Sequence, residues 1–199
     1  LHAEKAACGE AVLELIELLT GSVTEQEANL LYIAVTTDTG CFQYANTNAA
    51  TLRAAARLLE LGADNRKVSM EFFRKISRAR MALVGHIYSG MRFFRGGQIA
   101  IAVVTRALID ALQATEDDCD DIAGLPGRAD GVVVSVTIRE LTDGRSKISV
   151  RTTPEVDSCA ICAVYGGGGH KMASGCTLTC DPETAVEKIL AAIDQVWPA

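Results

Sequence analysis

The chain changes its hydrophobic periodicity once, near residues 88–97, and that switch limits the folds open to it. Before it, apolar residues recur three and four apart: Val12, Leu15, Ile16, Leu18 and Leu19, then Ala28, Leu31, Tyr32 and Val35. That is the stripe of helices that bury one face. The first helix is expected over residues 2–19, with Gly21 as its C-cap. Ser22-Val-Thr-Glu25 offers a capping box for the second, which should end near Thr36. Phe42 and Tyr44 point to a short extended piece, and Thr47 or Asn48 caps a third helix through Leu61 that Gly62 ends. A fourth should start at Asp64 and run through Phe72, Phe73 and Ile76 towards His86.

Beyond the switch the pattern alternates. Residues 98–105 form an almost wholly apolar, β-branched run suited to a buried strand, and 106–115 read as a helix. Residues 131–140 and 147–153 read as two strands joined through Thr142-Asp-Gly144, a hairpin turn signal. A helix over 156–164 should lead into Gly166, Gly167, Gly168 and Gly169, followed by a strand over 174–179 and a closing helix over 182–197 with Pro at its first turn. The fold class is therefore α/β: a set of helices followed by a compact mixed α/β domain.

With 199 residues and a net charge of −6, the chain lacks the broad basic face of a protein that coats long nucleic acid. A short phosphorylated ligand needs only a local positive pocket. The seven cysteines are odd in number and several sit among Ala, Ile and Val, as free thiols in a reducing compartment do. No apolar run approaches the roughly 18 residues of a membrane span, and the start Leu1-His-Ala-Glu-Lys5 lacks signal-peptide order, so a cytoplasmic protein is expected. A first residue Leu1 inside a helical pattern points to a fragment of a longer chain.

Four consecutive glycines weaken any helix or strand, so a folded domain keeps them where backbone must take positive φ or approach a ligand closely. Their N–H groups can converge on an anion, and His170 and Lys171 add a titratable donor and a fixed charge. The plainer alternative is a flexible turn between helix and strand.

Gly166-Gly-Gly-Gly-His170 followed by Met172-Ala-Ser-Gly175 resembles the signature of the C-terminal domain associated with DHH phosphoesterases. In that family the loop and its histidine bind substrate phosphate. Ile148-Ser-Val-Arg151-Thr-Thr resembles the strand whose arginine grips the nucleotide, a task that suits the planar guanidinium fork. Tyr32-Ile-Ala-Val-Thr-Thr-Asp38-Thr-Gly40-Cys-Phe42 resembles the last motif of the family's catalytic domain, where the aspartate is a metal ligand. The branch resembled is that of bacterial oligoribonucleases that also remove phosphate from 3′,5′-phosphoadenosine. The resemblance implies residues 1–62 as the C-terminal part of the catalytic domain, 63–97 as linker helices and 98–199 as the substrate-binding domain. It implies two Mn²⁺ or Mg²⁺ ions in the complete enzyme and short RNA, DNA or a phosphorylated nucleotide as substrate, with no membrane partner. Whether the chain forms a homodimer is left open.

The family's Asp-His-His motif is absent, and the only histidines are His2, His86 and His170. Asp38 alone cannot hold an ion pair, so this chain by itself is expected to bind substrate through Arg151, the glycines and His170 without hydrolysing it. Asp118-Cys-Asp120 reads as a solvated helix start rather than a ligand pair. Two rivals remain: a zinc site from Cys159-x2-Cys162 and Cys176-x3-Cys180, and a nucleic-acid-binding module without hydrolytic role, since related glycine-rich domains also occur in alanyl-tRNA synthetases. The stretch from Arg74 to Arg95 could steer a nucleic acid, or be a linker that turns its phenylalanines inward.

Overall fold

The computed structural model describes residues 5–198, in two compact units divided between Ile76 and Ser77. The start of the first expected helix, with His2, lies outside the described residues. The helix itself, α1, runs Cys8–Thr20, and Gly21 closes it in the left-handed conformation, donating its N–H to Glu17. The second helix, α2, spans Glu25–Asp38, and its capping box is Thr24 with Glu27 rather than Ser22 with Glu25. Both Ser22 with Glu25 and Thr24 with Glu27 have the capping-box spacing, and the reciprocal bonds form at the second pair: Thr24 N–H donates to Glu27 Oε2 at 2.8 Å and Thr24 Oγ1 accepts from Glu27 N–H at 3.3 Å. Asn48 caps α3, Ala49–Glu60, through the N–H groups of Ala50 and Thr51. Leu13, Leu31, Tyr32, Val35 and Leu58 fill the core of this unit.

Two expectations for this unit fail. Phe42 and Tyr44 are not extended: Gly40, Cys41 and Phe42 take φ of 54°, 55° and 66° in a tight turn after α2. Threonine hydroxyls hold that turn, with Thr39 bonding back to Val35 O at 2.6 Å and accepting from Phe42 N. The fourth helix does not continue to His86. It is a short α4, Asn65–Ser69, followed by a π-helical turn over Met70–Arg74, and Lys75 breaks it with ψ of 123°. Ser77 then caps a separate helix, α5, Arg78–Ser89. The apolar spacing ran through both pieces, but the side-chain cap started a new helix.

In the second unit six strands form one sheet in the order β1-β2-β3-β4-β6-β5: β1 Arg92–Phe94, β2 Ile99–Val104, β3 Val134–Glu140, β4 Ser146–Thr152, β5 Gly168–His170 and β6 Ala173–Leu178. Only β2 and β3 are parallel, and the crossover between them carries α6, Arg106–Ala111, and three 3₁₀ turns. One face of the sheet, with Val136, Ile138, Ile148 and Val150, packs against α7, Ser158–Ala163, and α8, Pro182–Val196. On the opposite face Ala102 and Val104 are covered by Leu83 and Ile87 of α5 and by Ile109, Ile122 and Leu125. Residues 78–94, expected as linker, therefore pack into this unit. Arg92 pairs with Glu183 and Arg95 with Asp194, while Phe94 is half-buried and Phe93 faces solvent, so strand alternation turns only one of the two inward. Among the described residues no helix is long and apolar enough to cross a membrane.

Candidate functional site: a basic sheet face beside a glycine strand

The glycine run passes from the end of a helix into a strand, and the N–H groups of Gly166 and Gly167 donate to Ala163 O and Cys162 O at 3.0 and 2.9 Å. Gly166 ends α7 with φ of 70°, and Gly168, Gly169 and His170 form the edge strand β5, paired antiparallel with Gly175, Ser174 and Ala173. Lys171 and Met172 are the two-residue hairpin tip, both exposed. Side-chain volume is excluded at two of the four glycines. A Cβ on Gly167 would stand 2.3 Å from Gly175 O, and one on Gly169, where φ is 148°, would stand 2.5 Å from Ala173 O. Gly168 differs: a Cβ there meets open space, so packing does not require a glycine.

The hairpin is held from beneath. Ser158 at the start of α7 donates its N–H to Lys171 O at 2.8 Å and its hydroxyl to His170 O at 3.0 Å, and the Ser174 hydroxyl lies 2.6 Å from Ser158 O. Cys162 and Cys176 lie in the core below. The hydrogen bond between them, with burial added, pushes the Cys176 thiol above its ordinary range and keeps it a neutral donor.

Register then brings the expected binding residues together. Arg151 on β4 pairs with Ala173 on β6, and His170 on β5 pairs with the same Ala173. Two residues along, Ser149, Gly175 and Gly168 make a parallel row, and beyond it Lys147 pairs with Thr177. Alternate strand residues share a face, so Lys147, Ser149 and Arg151 lie on the side opposite buried Ile148 and Val150. Arg151 spends one guanidinium N–H on Val150 O at 3.0 Å.

A cleft of about 190 Å³ opens over this face, lined by Arg139, Lys147, Ser149, Arg151 and Thr137 on the sheet and by residues 119–123 opposite. Arg80 shapes that wall by donating to the backbone carbonyls of Asp118 and Asp120 at 3.0 and 2.6 Å. Asp118, expected as a solvated helix start, bonds Ser77 and Thr115, and these contacts hold its carboxyl below the usual range. Arg139 is tied to Glu116 at 2.7 Å, whereas Arg151 and Lys147 have no acidic partner among the described residues. The residues missed in the sequence are Lys147 and Ser149. The alternation Lys147-Ile-Ser149-Val-Arg151 carried the signal.

Asp38 belongs to the helical unit. It is the last residue of α2, exposed, with its backbone carbonyl accepting from Asn46 at 3.1 Å. A helix C-terminus favours a cation, but among the described residues no three His, Cys, Asp or Glu side chains gather as a metal centre. The donors present therefore do not fit an ion pair, nor do the cysteines form a zinc site.

Residues 96–197 match the family model described as the DHHA1 domain. The chain is 37% identical over 191 residues to a bifunctional oligoribonuclease and PAP phosphatase NrnA of Thermus thermophilus, covering 95% of this chain and 56% of that protein. It is 31% identical over 173 residues to the NrnA of Mycoplasma genitalium, covering 87% and 53%. The chain thus spans about half the length of these relatives. Among solved structures, an exopolyphosphatase-related protein from Bacteroides fragilis superposes with a TM-score of 0.87 at 25% identity, over 98% of this chain and 58% of that one. With the match running from the turn before β2 to the end of α8, the chain belongs to the DHHA1 domain family.

Proposed function

We propose that this chain is the substrate-binding portion of a DHH-family phosphoesterase that hydrolyses short oligonucleotides or 3′,5′-phosphoadenosine-type nucleotides. One observation carries the reading: Arg151 and His170 flank a single residue, Ala173, at the end of a strand whose other two residues, Gly168 and Gly169, are glycines. Arg151 supplies a fork for two phosphate oxygens, and His170 supplies a ring N–H donor. The names of the relatives, oligoribonuclease and PAP phosphatase, fit a phosphate carried on a nucleotide. The seven free thiols suit a cytoplasmic protein.

Hydrolysis needs Mn²⁺ or Mg²⁺, with Asp38 as one carboxylate and with further donors that are not gathered among the described residues. The chain alone accordingly binds substrate and does not cleave it. Calorimetric titration of the 199-residue chain with AMP and with the dinucleotide pApA, beside a Mn²⁺ cleavage assay, tests both halves. Binding without turnover is the expected result. Absence of binding, or Mn²⁺-dependent turnover by the chain alone, contradicts the reading. In a longer protein that contains this chain, Asp38→Ala should abolish turnover while leaving pApA affinity unchanged.

A further inference from the structure

Resting on that reading, we propose a second phosphate subsite at Lys147, so that the face binds a ligand at least two nucleotides long. Lys147 and Arg151 are four residues apart on β4 and point to the same side, which separates their Cα atoms by about 13 Å. Both line the cleft. A single phosphate held by Arg151 and His170 leaves Lys147 unused. A second phosphate further along a chain reaches it.

What lies between the two cations supports a ligand passing over the face. The intervening row Ser149–Gly175–Gly168 carries only one hydroxymethyl group across three strands. Gly175 is bare for packing reasons, since a Cβ would stand 2.9 Å from Ile148 O, but Gly168 is bare without such a reason. A flat strip of backbone between two positive groups accommodates a ribose or base lying on the sheet. The opposite wall contributes Asp120 and Asp121. Their carboxylates repel phosphate and accept from hydroxyl or amino groups, which turns a ligand's phosphates towards β4 and its sugar and base donors towards the wall. The neighbouring Arg139 cannot replace Lys147 without giving up Glu116. Lys147 is exposed and bound to no acid among the described residues, so phosphate contact breaks no existing ion pair.

The test compares AMP and pApA binding to the whole chain and its Lys147→Ala and Arg151→Ala variants, at two salt concentrations and with melting curves as folding controls. The unmodified chain should bind pApA more tightly than AMP. Lys147→Ala should weaken pApA by roughly 3- to 10-fold, change AMP by less than about 2-fold, and flatten the salt dependence for pApA by about 0.7 in log–log slope. Arg151→Ala should weaken both ligands. If Lys147→Ala leaves pApA at its original affinity, or weakens both ligands equally, or if the chain has no preference for pApA, the second subsite is wrong. If Arg151→Ala leaves both ligands unaffected, the phosphate-binding reading itself fails, whatever Lys147 does.

Discussion

Arg151 and His170 are 19 positions apart in the chain, yet both pair with Ala173, one from each side of β6. Two strand spacings, about 10 Å, separate their backbones, and the side chain between them is a methyl group. The proposed function puts a ligand phosphate above Ala173, between the two.

That arrangement makes the identity of the Arg151 cation matter. Arg151→Lys keeps the charge and loses the planar fork. It should weaken AMP binding by several-fold, and Arg151→Ala by about 10-fold or more, with His170→Ala also weakening. Calorimetric titration gives the order. A lysine variant that matched the original chain would mean that charge alone suffices at this position.

The glycines should separate by function. Gly167→Ala and Gly169→Ala force a Cβ into the β6 backbone and should each cost more than about 1 kcal/mol in urea unfolding. Gly168→Ala meets open space and should stay within about 0.5 kcal/mol. It should nevertheless weaken nucleotide binding, because its methyl group rises from the strip on which the ligand lies. Unimpaired binding by this variant would remove the strip from the site.

Helix α8 supplies a pH dependence. Asp181 caps it through the N–H groups of Glu183 and Thr184 and accepts from the Thr184 hydroxyl at 2.6 Å. The Thr184 hydrogen bonds hold its carboxyl below the usual range. A carboxyl lowered by folding contributes stability above its unfolded pKa and loses that contribution as pH falls through its folded pKa. Asp181→Asn retains a capping oxygen without the titration. Melting temperatures of the two proteins should therefore converge as the pH is taken down through the carboxylate range, and a gap that stays constant would count against this cap as a source of the acid sensitivity.

Arg95 ties the end of the chain to the sheet. Its guanidinium donates to Trp197 O at 2.5 Å, pairs with Asp194 and stacks 5.1 Å from the Trp197 ring. Arg95→Ala should destabilise by about 1–2 kcal/mol. The loss should show in urea unfolding and leave AMP affinity untouched, since neither residue lines the cleft.

Local rules sufficed for much of this molecule. Gly21 and Asn48 bound their helices as their side chains dictate, the β-branched run became β2, and Thr142-Asp-Gly144 turned the hairpin between β3 and β4. Where two local signals competed, spacing alone did not choose: Ser77 interrupted a stripe that could have carried one helix from Asp64 to His86. The glycine run marked the candidate site in the sequence, but its form did not follow from composition. Four glycines permit a loop or a strand, and only pairing with β6, anchored through Ser158 and Ser174, selects the strand. The same pairing brings His170 opposite Ala173 and thereby level with Arg151. Residue types and alternation were thus determined along the chain, because they depend on neighbours a few positions away. The meeting of Arg151, His170, Lys147 and bare Gly168 on one face was decided by register between strands far apart in sequence, which only the closed sheet specifies.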